Sequence, residues 1–408
     1  MRCAGLGLRS GLGPDRNHGG ADMAQAKTWV GLDVHVWRTV AAVLDGESGE
    51  LRRRRLSGRT DEIAAFVAGL EGPVRVTYEV GPTGFALARR LTRAGVGCVV
   101  CAPGLVPRGP SDRVKTDQRD AERLVRLLAA GELHAVAVPS VEEEAMRDLV
   151  GAREALRGDL MRARHRLSKL LLRHDVRFDG TARNWTVEQL RWLGRVRFER
   201  PATQRAFEDY LGAVEAVAIR RDVLEAEIAR LLPDAPWAKT AQRLMCLRGI
   251  GTLSAAGLCA EIGDFRRFSH PEQVMSYLGV VPSEHSSGSQ RRLGPITKSG
   301  SQHARRLLVE AAWHYRRPPR ISDELRRRQA GADPAVVALS WKTQRRLHRV
   351  WNRMEQRGKR KTIIAVAAAR ELAGFCWAVA TAQLSARAPR WSRRRRVSGR
   401  HLAQSIRD

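Results

Sequence analysis

Cysteine is scarce and scattered in this chain. The 408 residues include six cysteines, and the one close pair, Cys98 and Cys101 in "CVVC", has no second pair of matching spacing. This pair lies in an apolar run, where cysteine behaves as a small hydrophobic residue, so we expect buried thiols rather than a zinc site. Such cysteine usage is typical of a reducing compartment and predicts a cytoplasmic protein.

Segments for export or membrane insertion are also missing from the sequence. We read no apolar run as long enough to cross a bilayer, so we expect no membrane span. Residues 1–22 contain no apolar core of the kind that signal peptides have, and the first globular pattern begins at Met23. We expect residues 1–22 to be a disordered extension; the sequence leaves open whether Met1 or Met23 begins the active protein.

Acidic residues are few relative to basic ones. The chain has 72 Lys and Arg against 43 Asp and Glu, a formal net charge of +29. Between Trp341 and Asp408 there are 18 basic residues and three acidic ones, so much of the excess lies near the C-terminal end. A solubilising tail is one explanation, but the charge favours contact with nucleic-acid phosphates.

The order of apolar runs predicts a mixed α/β sheet followed by helices. Five strands are expected at 29–35, 39–45, 51–57, 74–80 and 96–102, with a helix capped by Thr60 and another after Thr116. This is the element order of a ribonuclease-H-like fold. We therefore expect an α/β domain over 23–140, a helical, coiled-coil-like segment over 141–235, a mainly α-helical domain over 236–380 and a basic tail over 381–408.

The helical segment carries a coiled-coil-like apolar seam. Within a helix predicted over 146–171, apolar residues recur every three or four positions, and a second seam includes Leu224, Ile228 and Leu231. The pattern predicts a helical hairpin. It leaves open whether the first helix pairs with its own return helix or with another subunit.

A pair of aspartates opens the helix in "VKTDQRDAERLVRLLAAG". At 100° per residue, Asp117 lies in line with the apolar stripe and Asp120 at its edge. Asp117 and Asp120 can be the N-cap and N3 residues of the helix, or they can be metal ligands that face the sheet.

Two further carboxylates favour the metal interpretation. Asp33 interrupts the first apolar strand in "WVGLDVHVW", and Glu79 ends the fourth in "VRVTYEV". A carboxylate in an apolar strand is costly unless it is paired or bound to a metal. Asp33, Glu79, Asp117 and Asp120 are therefore predicted to converge, and four hard oxygen ligands suit two Mg²⁺ ions that act on a phosphodiester.

The second half offers candidate phosphate contacts. In "RGIGTLSAAG", Gly249 and Gly251 lie between two helical stretches, as in a helix-hairpin-helix, where backbone N–H groups can approach a phosphate. The alternative is an ordinary turn between packed helices. A Ser/Gly-rich loop follows, and composition alone favours a flexible loop there; the cations around it are Arg291, Arg292, Lys298, Arg305 and Arg306.

The acidic motifs resemble those of a known family. "GLDVH", "YEVGPTG" and "KTDQRDAERL" are similar to the motifs of the DEDD-type insertion-sequence transposases of the IS110 family. The resemblance implies a RuvC-like N-terminal domain whose catalytic Asp, Glu, Asp and Asp correspond to Asp33, Glu79, Asp117 and Asp120.

The second half resembles the C-terminal domain of the same family through "RGIGTLSAAGLCAEIGD", "YLGVVPSEHSSG" and "GPITKSG". The resemblance implies a nucleophilic serine at Ser287, with Ser286 adjacent, that forms a phosphoserine with DNA. It further implies double-stranded DNA substrates, a structured guide (bridge) RNA, a dimer or tetramer, and a bacterial cytoplasmic protein associated with the nucleoid.

Three other functions remain possible from the residues. A metal-dependent nuclease or junction resolvase would use the acidic cluster without a covalent serine intermediate. A nucleic-acid-binding protein without activity would need neither, although all four carboxylates are present. An actin-like kinase shares "GLDVH" but would need a further Gly-rich phosphate loop and leaves the net charge of +29 unexplained.

Overall fold

The computed structural model describes residues 26–104, 106, 116–180, 185–284 and 292–382. The extension over 1–22, nearly all of the basic tail, Ser286, Ser287 and Arg291 lie outside these residues. Predictions that concern them stay predictions.

The N-terminal part is built on a five-stranded mixed sheet. Its spatial order is β3-β2-β1-β4-β5, with β1–β2 and β2–β3 antiparallel and β1–β4 and β4–β5 parallel. This arrangement confirms the expected mixed α/β architecture and is consistent with a ribonuclease-H-like fold. The strands are β1 (Thr28–Val34), β2 (Arg38–Asp45), β3 (Leu51–Ser57), β4 (Val74–Glu79) and β5 (Gly97–Cys101).

Helices cover both faces of this sheet. Helices α1 (Thr60–Ala68) and α2 (Ala86–Arg93) pack on one face, where Val30 and Leu32 are fully buried. Helix α3 (Asp117–Ala129) packs on the other face against Trp29. Because strand side chains alternate, the face of β1 that carries Trp29, Gly31 and Asp33 is the face that α3 covers.

One local prediction changes in this part, and another is confirmed. Thr60 is the first residue of α1 rather than its cap, since Arg59 holds the extended N-cap position and no side chain caps the helix. The "CVVC" cysteines lie on β5 as expected, and burial raises the pKa of each thiol to about 12, which suits two small hydrophobic residues.

Two long helices form an antiparallel hairpin. Helix α4 (Val141–Arg173) packs along α6 (Pro201–Leu231), with the short α5 (Val187–Leu193) between them. Arg153 of α4 reinforces the pair because its Nε donates to Glu225 Oε1 of α6 at 2.9 Å. The open choice is thus resolved within this chain, since α4 pairs with its own return helix. Ala152, one of the apolar residues at seam spacing in the predicted helix, is exposed.

The C-terminal part is mainly α-helical, as predicted. Its core surrounds the last helix of the described chain, with a small two-stranded sheet at one side. The elements are α7 (Ala238–Met245), α8 (Thr252–Ile262), α9 (Pro271–Tyr277), β6 (Pro282–Glu284), β7 (Leu293–Ile296), α10 (Gln302–Ala312), α11 (Asp323–Gln329), α12 (Pro334–Gln356) and α13 (Lys361–Thr381).

Helix α13 corrects the statement that no segment could cross a membrane. By length and composition it could, and it is the one described helix that passes this test. However, 67% of its most apolar window is buried inside the protein. This burial is that of a core helix, so a membrane protein is not indicated.

Candidate active site

The carboxylates of the first and fourth strands lie at the same edge of the sheet. Asp33 is the second-last residue of β1 and Glu79 is the last residue of β4. The parallel register pairs Leu32 with Tyr78, so Asp33 and Glu79 come one step further along neighbouring strands. Tyr78 is buried on the α1–α2 face, which places Glu79 on the opposite face, together with Asp33.

Gly31 allows α3 to lie directly on β1. A Cβ atom at position 31 would overlap the carbonyl oxygen of Ala121 and come 2.6 Å from the backbone nitrogen of Val125. Only glycine therefore permits this backbone approach. Its consequence for the site is that the first turn of α3 lies over the end of β1, where Asp33 is.

The structure brings Asp33 and Asp117 together with His35. One ligand atom from each of these three side chains lies within 4.8 Å of the others. His35 Nε2 is 3.2 Å from Asp33 Oδ2 and 3.8 Å from Asp117 Oδ1. Sequence reasoning missed His35, although the signal was present, because residues two apart along an extended segment share a face.

The two aspartates of α3 have different environments from those predicted. Asp120 is buried, with 9% of its surface exposed, whereas 32% of the Asp117 side chain is exposed. The expected order is therefore reversed, because the helix begins at Asp117 and its first residue projects beyond the apolar contact with the sheet. Thr116, not Asp117, is the N-cap, since its hydroxyl accepts from the Arg119 backbone N–H at 3.4 Å.

Arginines balance the negative charge of the cluster. Arg38 Nη2 donates to Asp117 Oδ2 at 2.6 Å, and Arg123 pairs with Asp120 one turn along α3. Burial raises the pKa of Asp33 above its ordinary value; the neighbouring His35 opposes this shift, while the charges of Asp117 and Asp120 add to it. A bound cation would stabilise the ionised form of Asp33, which burial and the neighbouring negative charges disfavour.

The donor set fits a divalent metal. Asp33 and Asp117 offer carboxylate oxygens from two elements that pack against each other, and Glu79 is half-buried at the same edge of the sheet. Carboxylate oxygens suit Mg²⁺, and an imidazole beside them suits Mn²⁺ as well. Of the four predicted carboxylates, the structure groups Asp33 and Asp117 with His35, whereas Asp120 pairs with Arg123.

Comparison with known proteins shows the family of this chain. Residues 30–174 match the family model of the IS110-type DEDD transposases, and residues 241–325 match that of the transposase IS116/IS110/IS902 family. A putative transposase, y4qE, of Sinorhizobium fredii (strain NBRC 101917 / NGR234) is 39% identical over 386 residues, which cover 92% of this chain and 94% of the relative. The chain belongs to the IS110-family DEDD transposases.

A second relative supports the same assignment. The transposase for insertion sequence element IS1533 of Leptospira borgpetersenii is 32% identical over 340 residues, covering 82% of this chain and 98% of the relative. The acidic cluster of the transposase lies inside the segment matched by the DEDD model. The two family models match the two halves of the chain in the order that the motifs predicted.

The two glycines of the "GIG" turn have different roles in the transposase. Gly249 has φ +85°, and a Cβ there would lie 2.7 Å from the Ala311 carbonyl oxygen of α10. Gly251 is the N-cap of α8 with φ −96°, and a Cβ there would meet only Arg328 Nη1, at 3.9 Å. The packing interpretation therefore accounts for Gly249, and phosphate contact at Gly251 stays a prediction.

Two of the predicted phosphate-binding arginines are engaged in the fold. Arg305 Nη1 donates to the carbonyl oxygens of Leu278 at 3.1 Å and Ser299 at 2.5 Å, which ties α10 to the preceding turn. Arg306 forms ion pairs with Glu310 and with Glu154 of α4. These contacts give both arginines structural roles. Arg292 and Lys298 are exposed.

Helix α12 presents a basic, aromatic face that sequence reasoning did not single out. Trp341 is 39% exposed and lies one helical turn before Arg345. A shallow cavity of about 300 Å³ on this face is lined by Ala338, Trp341, Lys342, Arg345 and Arg349. An aromatic ring among cations suits a nucleic-acid strand.

Proposed function

We propose that this chain is a DNA transposase/recombinase that cleaves and exchanges DNA strands with a metal-binding acidic cluster and a serine nucleophile. The observation that carries the proposal is the convergence of Asp33, His35 and Asp117 within 4.8 Å, in a chain of the IS110 family. The formal net charge of +29 fits a DNA substrate.

Asp33, Glu79, Asp117 and Asp120 would hold divalent metal, with two Mg²⁺ ions as the proposed complement. Bound Mg²⁺ would supply charge stabilisation for the attacking and leaving oxygens of a phosphodiester. The protein's own contribution is to hold the carboxylates in place: β1 and β4 fix Asp33 and Glu79, and the close packing of α3 on Gly31 fixes the two others.

Ser287 is the proposed nucleophile, with Ser286 next to it. In this step the serine Oγ–phosphorus bond forms while the bond between phosphorus and the leaving deoxyribose oxygen breaks. The serine hydroxyl loses its proton and the leaving oxygen gains one. One phosphodiester bond replaces another, so the bond energy of the DNA phosphodiester is conserved in the phosphoserine. A second transesterification would return the serine and join new DNA ends.

The proposed organisation follows the same family. A RuvC-like domain over 23–140, a helical segment over 141–235 and a serine domain over 236–380 would work as a dimer or tetramer on element ends and target DNA. A structured bridge RNA would supply sequence recognition, with Gly251, Arg292, Lys298 and the basic tail holding backbones.

The metal site is tested by Asp117→Asn, with Glu122→Gln as the control. Both variants remove one carboxylate from α3, but Glu122 pairs with Arg53 on the edge strand rather than with the cluster. We expect Asp117→Asn to abolish Mg²⁺-dependent cleavage and Glu122→Gln to retain it. Wild-type cleavage by Asp117→Asn would refute the metal role.

The serine is tested by trapping the covalent intermediate. Wild-type protein, Ser287→Ala and Ser286→Ala would each be incubated with labelled junction DNA and with the RNA that copurifies with the protein. We expect a protein–DNA adduct in the wild type and in Ser286→Ala, but not in Ser287→Ala. Hydrolysed ends without an adduct in the wild type would favour the alternative, a metal-dependent nuclease or junction resolvase.

A further inference from the structure

The turn between β1 and β2 is made of unusual residues. Val34 pairs with Thr39, and the His35 backbone N–H donates to the Arg38 carbonyl at 2.9 Å, so Val36 and Trp37 form a two-residue hairpin loop. Such loops favour Asn and Gly, whose backbones accept positive φ. Neither Val36 nor Trp37 has positive φ, so turn chemistry does not explain them.

Trp37 is the most exposed large hydrophobic residue among the described parts of the chain. Its exposure is 89%, against 38% for Trp313 and 39% for Trp341, and Val36 beside it is 65% exposed. A tryptophan in this position loses the burial that would stabilise the fold. Trp37 departs both from the residue preference of such turns and from the tendency of large apolar side chains to be buried, and departures of this kind are expected at functional positions.

The backbone of the hairpin tip, formed by Val36 and Trp37, is supported by the chain segment at Gly58. A Cβ at Gly58 would overlap the Val36 carbonyl oxygen and come 2.6 Å from that of His35. The chain leaving β3 therefore packs directly on the tip. Trp37 is thus a ring presented by a supported backbone rather than the end of a loose loop.

The tip is close to the acidic cluster. His35, two residues before Trp37, is part of the cluster, and two extended residues span at most about 7 Å. Arg38, the residue after Trp37, is bonded to Asp117. A nucleotide whose base contacts Trp37 would therefore place its backbone beside the carboxylates.

Exposed cations lie on the elements that carry the acidic cluster. Across the strands, Asp33 pairs with Val40 and Val40 with Arg55, so Arg55 projects from the same face two strands away, about 10 Å from Asp33. Arg55 and Arg119 are exposed. Exposed arginines beside an exposed indole match a nucleic-acid strand better than an apolar protein partner.

We propose that Trp37 stacks on a base of the DNA strand that enters the acidic site and thereby positions the phosphodiester to be cleaved. The inference rests on the proposed function and names a positioning residue for it. Stacking on an indole is tolerant of sequence, because every base has a π-face. Trp37 would therefore hold the strand without contributing to target choice.

The test measures binding rather than cleavage. Full-length protein would bind a fluorescent forked DNA duplex with a single-stranded arm that contains 5-iodouracil, in Ca²⁺ and at raised salt, which weakens phosphate contacts. The variants are Trp37→Ala and Trp37→Phe, with Leu172→Ala as the control, since Leu172 is a 65% exposed apolar residue on α4. Thermal unfolding would confirm that all three fold.

We expect Trp37→Ala to weaken binding of the fork by at least about 5-fold, Trp37→Phe to retain most of the affinity, and Leu172→Ala to match the wild type. Photo-crosslinking should yield an adduct on the peptide that contains Trp37. The same adduct is expected in Asp117→Asn protein, so loss of cleavage would not mask the result.

Three results would overturn the proposal. The first is unchanged fork binding by Trp37→Ala together with crosslinks that map elsewhere. The second is a Trp37-dependent affinity for an RNA of the same sequence but not for DNA, which would make the indole an RNA contact. The third is a change of oligomeric state in Trp37→Ala with unaltered DNA binding, which would make the tip a subunit contact.

Discussion

Replacing Gly249 by alanine separates packing from phosphate binding in the "GIG" turn. Gly249 lies between α7 and α8, where sequence reasoning proposed that a glycine lets the backbone approach a phosphate. In the structure, the position that a side chain at residue 249 would occupy faces α10. A Cβ would lie 2.7 Å from the Ala311 carbonyl oxygen and 3.1 Å from the ring of His314.

The cost of this substitution has two parts. An alanine at φ +85° is strained by about 1–2 kcal/mol. Insertion of a methyl group against fixed backbone adds about 1–3 kcal/mol of overpacking. The lower entropy of the unfolded alanine chain offsets about 0.4–1 kcal/mol. The net loss in the free energy of unfolding is therefore about 2–4 kcal/mol.

Gly251→Ala is the matched control. Its φ of −96° is acceptable to alanine, and its Cβ would have only Arg328 Nη1 nearby, at 3.9 Å. We expect Gly251→Ala to keep wild-type stability, and any loss of DNA affinity in that variant would then report a phosphate at the N-terminus of α8.

Urea unfolding followed by far-ultraviolet circular dichroism measures both variants. With an ordinary dependence on urea, Gly249→Ala should lower the midpoint of the C-terminal transition by about 1 M or more. The reasoning would be refuted by a Gly249→Ala protein that is as stable as the wild type but binds DNA more weakly. That result would support the interpretation that Gly249 contacts a phosphate.

Three further predictions concern the sheet, the cluster and the C-terminal helices. Gly31→Val should lower the free energy of unfolding by about 3 kcal/mol and abolish Mg²⁺-dependent cleavage, because α3 can no longer lie on β1. Urea unfolding and a cleavage assay measure the two effects, and intact cleavage would contradict the prediction. Arg38→Ala should tighten Mn²⁺ binding by about 2- to 5-fold in calorimetry, since the guanidinium competes for Asp117, and unchanged affinity would argue against this competition. Burial opposes ionisation of Glu261, but the hydrogen bond from His303 helps to lower the pKa of this carboxyl below its ordinary value, so the carboxylate stabilises the fold at neutral pH. The difference in the free energy of unfolding between wild type and Glu261→Gln should decrease as pH falls below about 4.3. A difference that stays constant with pH would contradict this prediction.

Much of the fold was accessible from the sequence because its signals are local. Apolar runs predicted four of the five strands to within about two residues, since a strand buried on one or both faces must be apolar there. The charged third strand was predicted from the hairpin turn before it. The long helix α4 extends a few residues beyond the predicted 146–171 at both ends. The failures are also local: Thr60 has a capping side chain but stands inside the helix, because Arg59 already has the extended conformation of an N-cap.

Two members of the candidate cluster, Asp33 and Asp117, were predicted from the sequence, whereas its third member, His35, and its arrangement were not. Helical phase placed Asp117 nearer the sheet than Asp120, yet Asp120 is the buried one. Phase gives the direction of a side chain, whereas burial depends on where the helix begins relative to the sheet. The partner Arg38 was not predicted because it lies 79 positions from Asp117 in the chain. His35 and Arg123 lie two and three residues from Asp33 and Asp120, so their pairing was accessible from local spacing and was missed.

The sequence alone determined which residues could serve the chemistry: the four carboxylates, the serine loop, the excess of positive charge and the order of strands and helices. These follow from residue type and short-range periodicity. Only the tertiary structure decided that Gly31 brings α3 onto β1, that His35 joins Asp33 and Asp117, and that Gly249 is a packing residue while Trp37 stands exposed beside the cluster. Each of these depends on how close two distant segments lie, and residue periodicity carries no information about that distance.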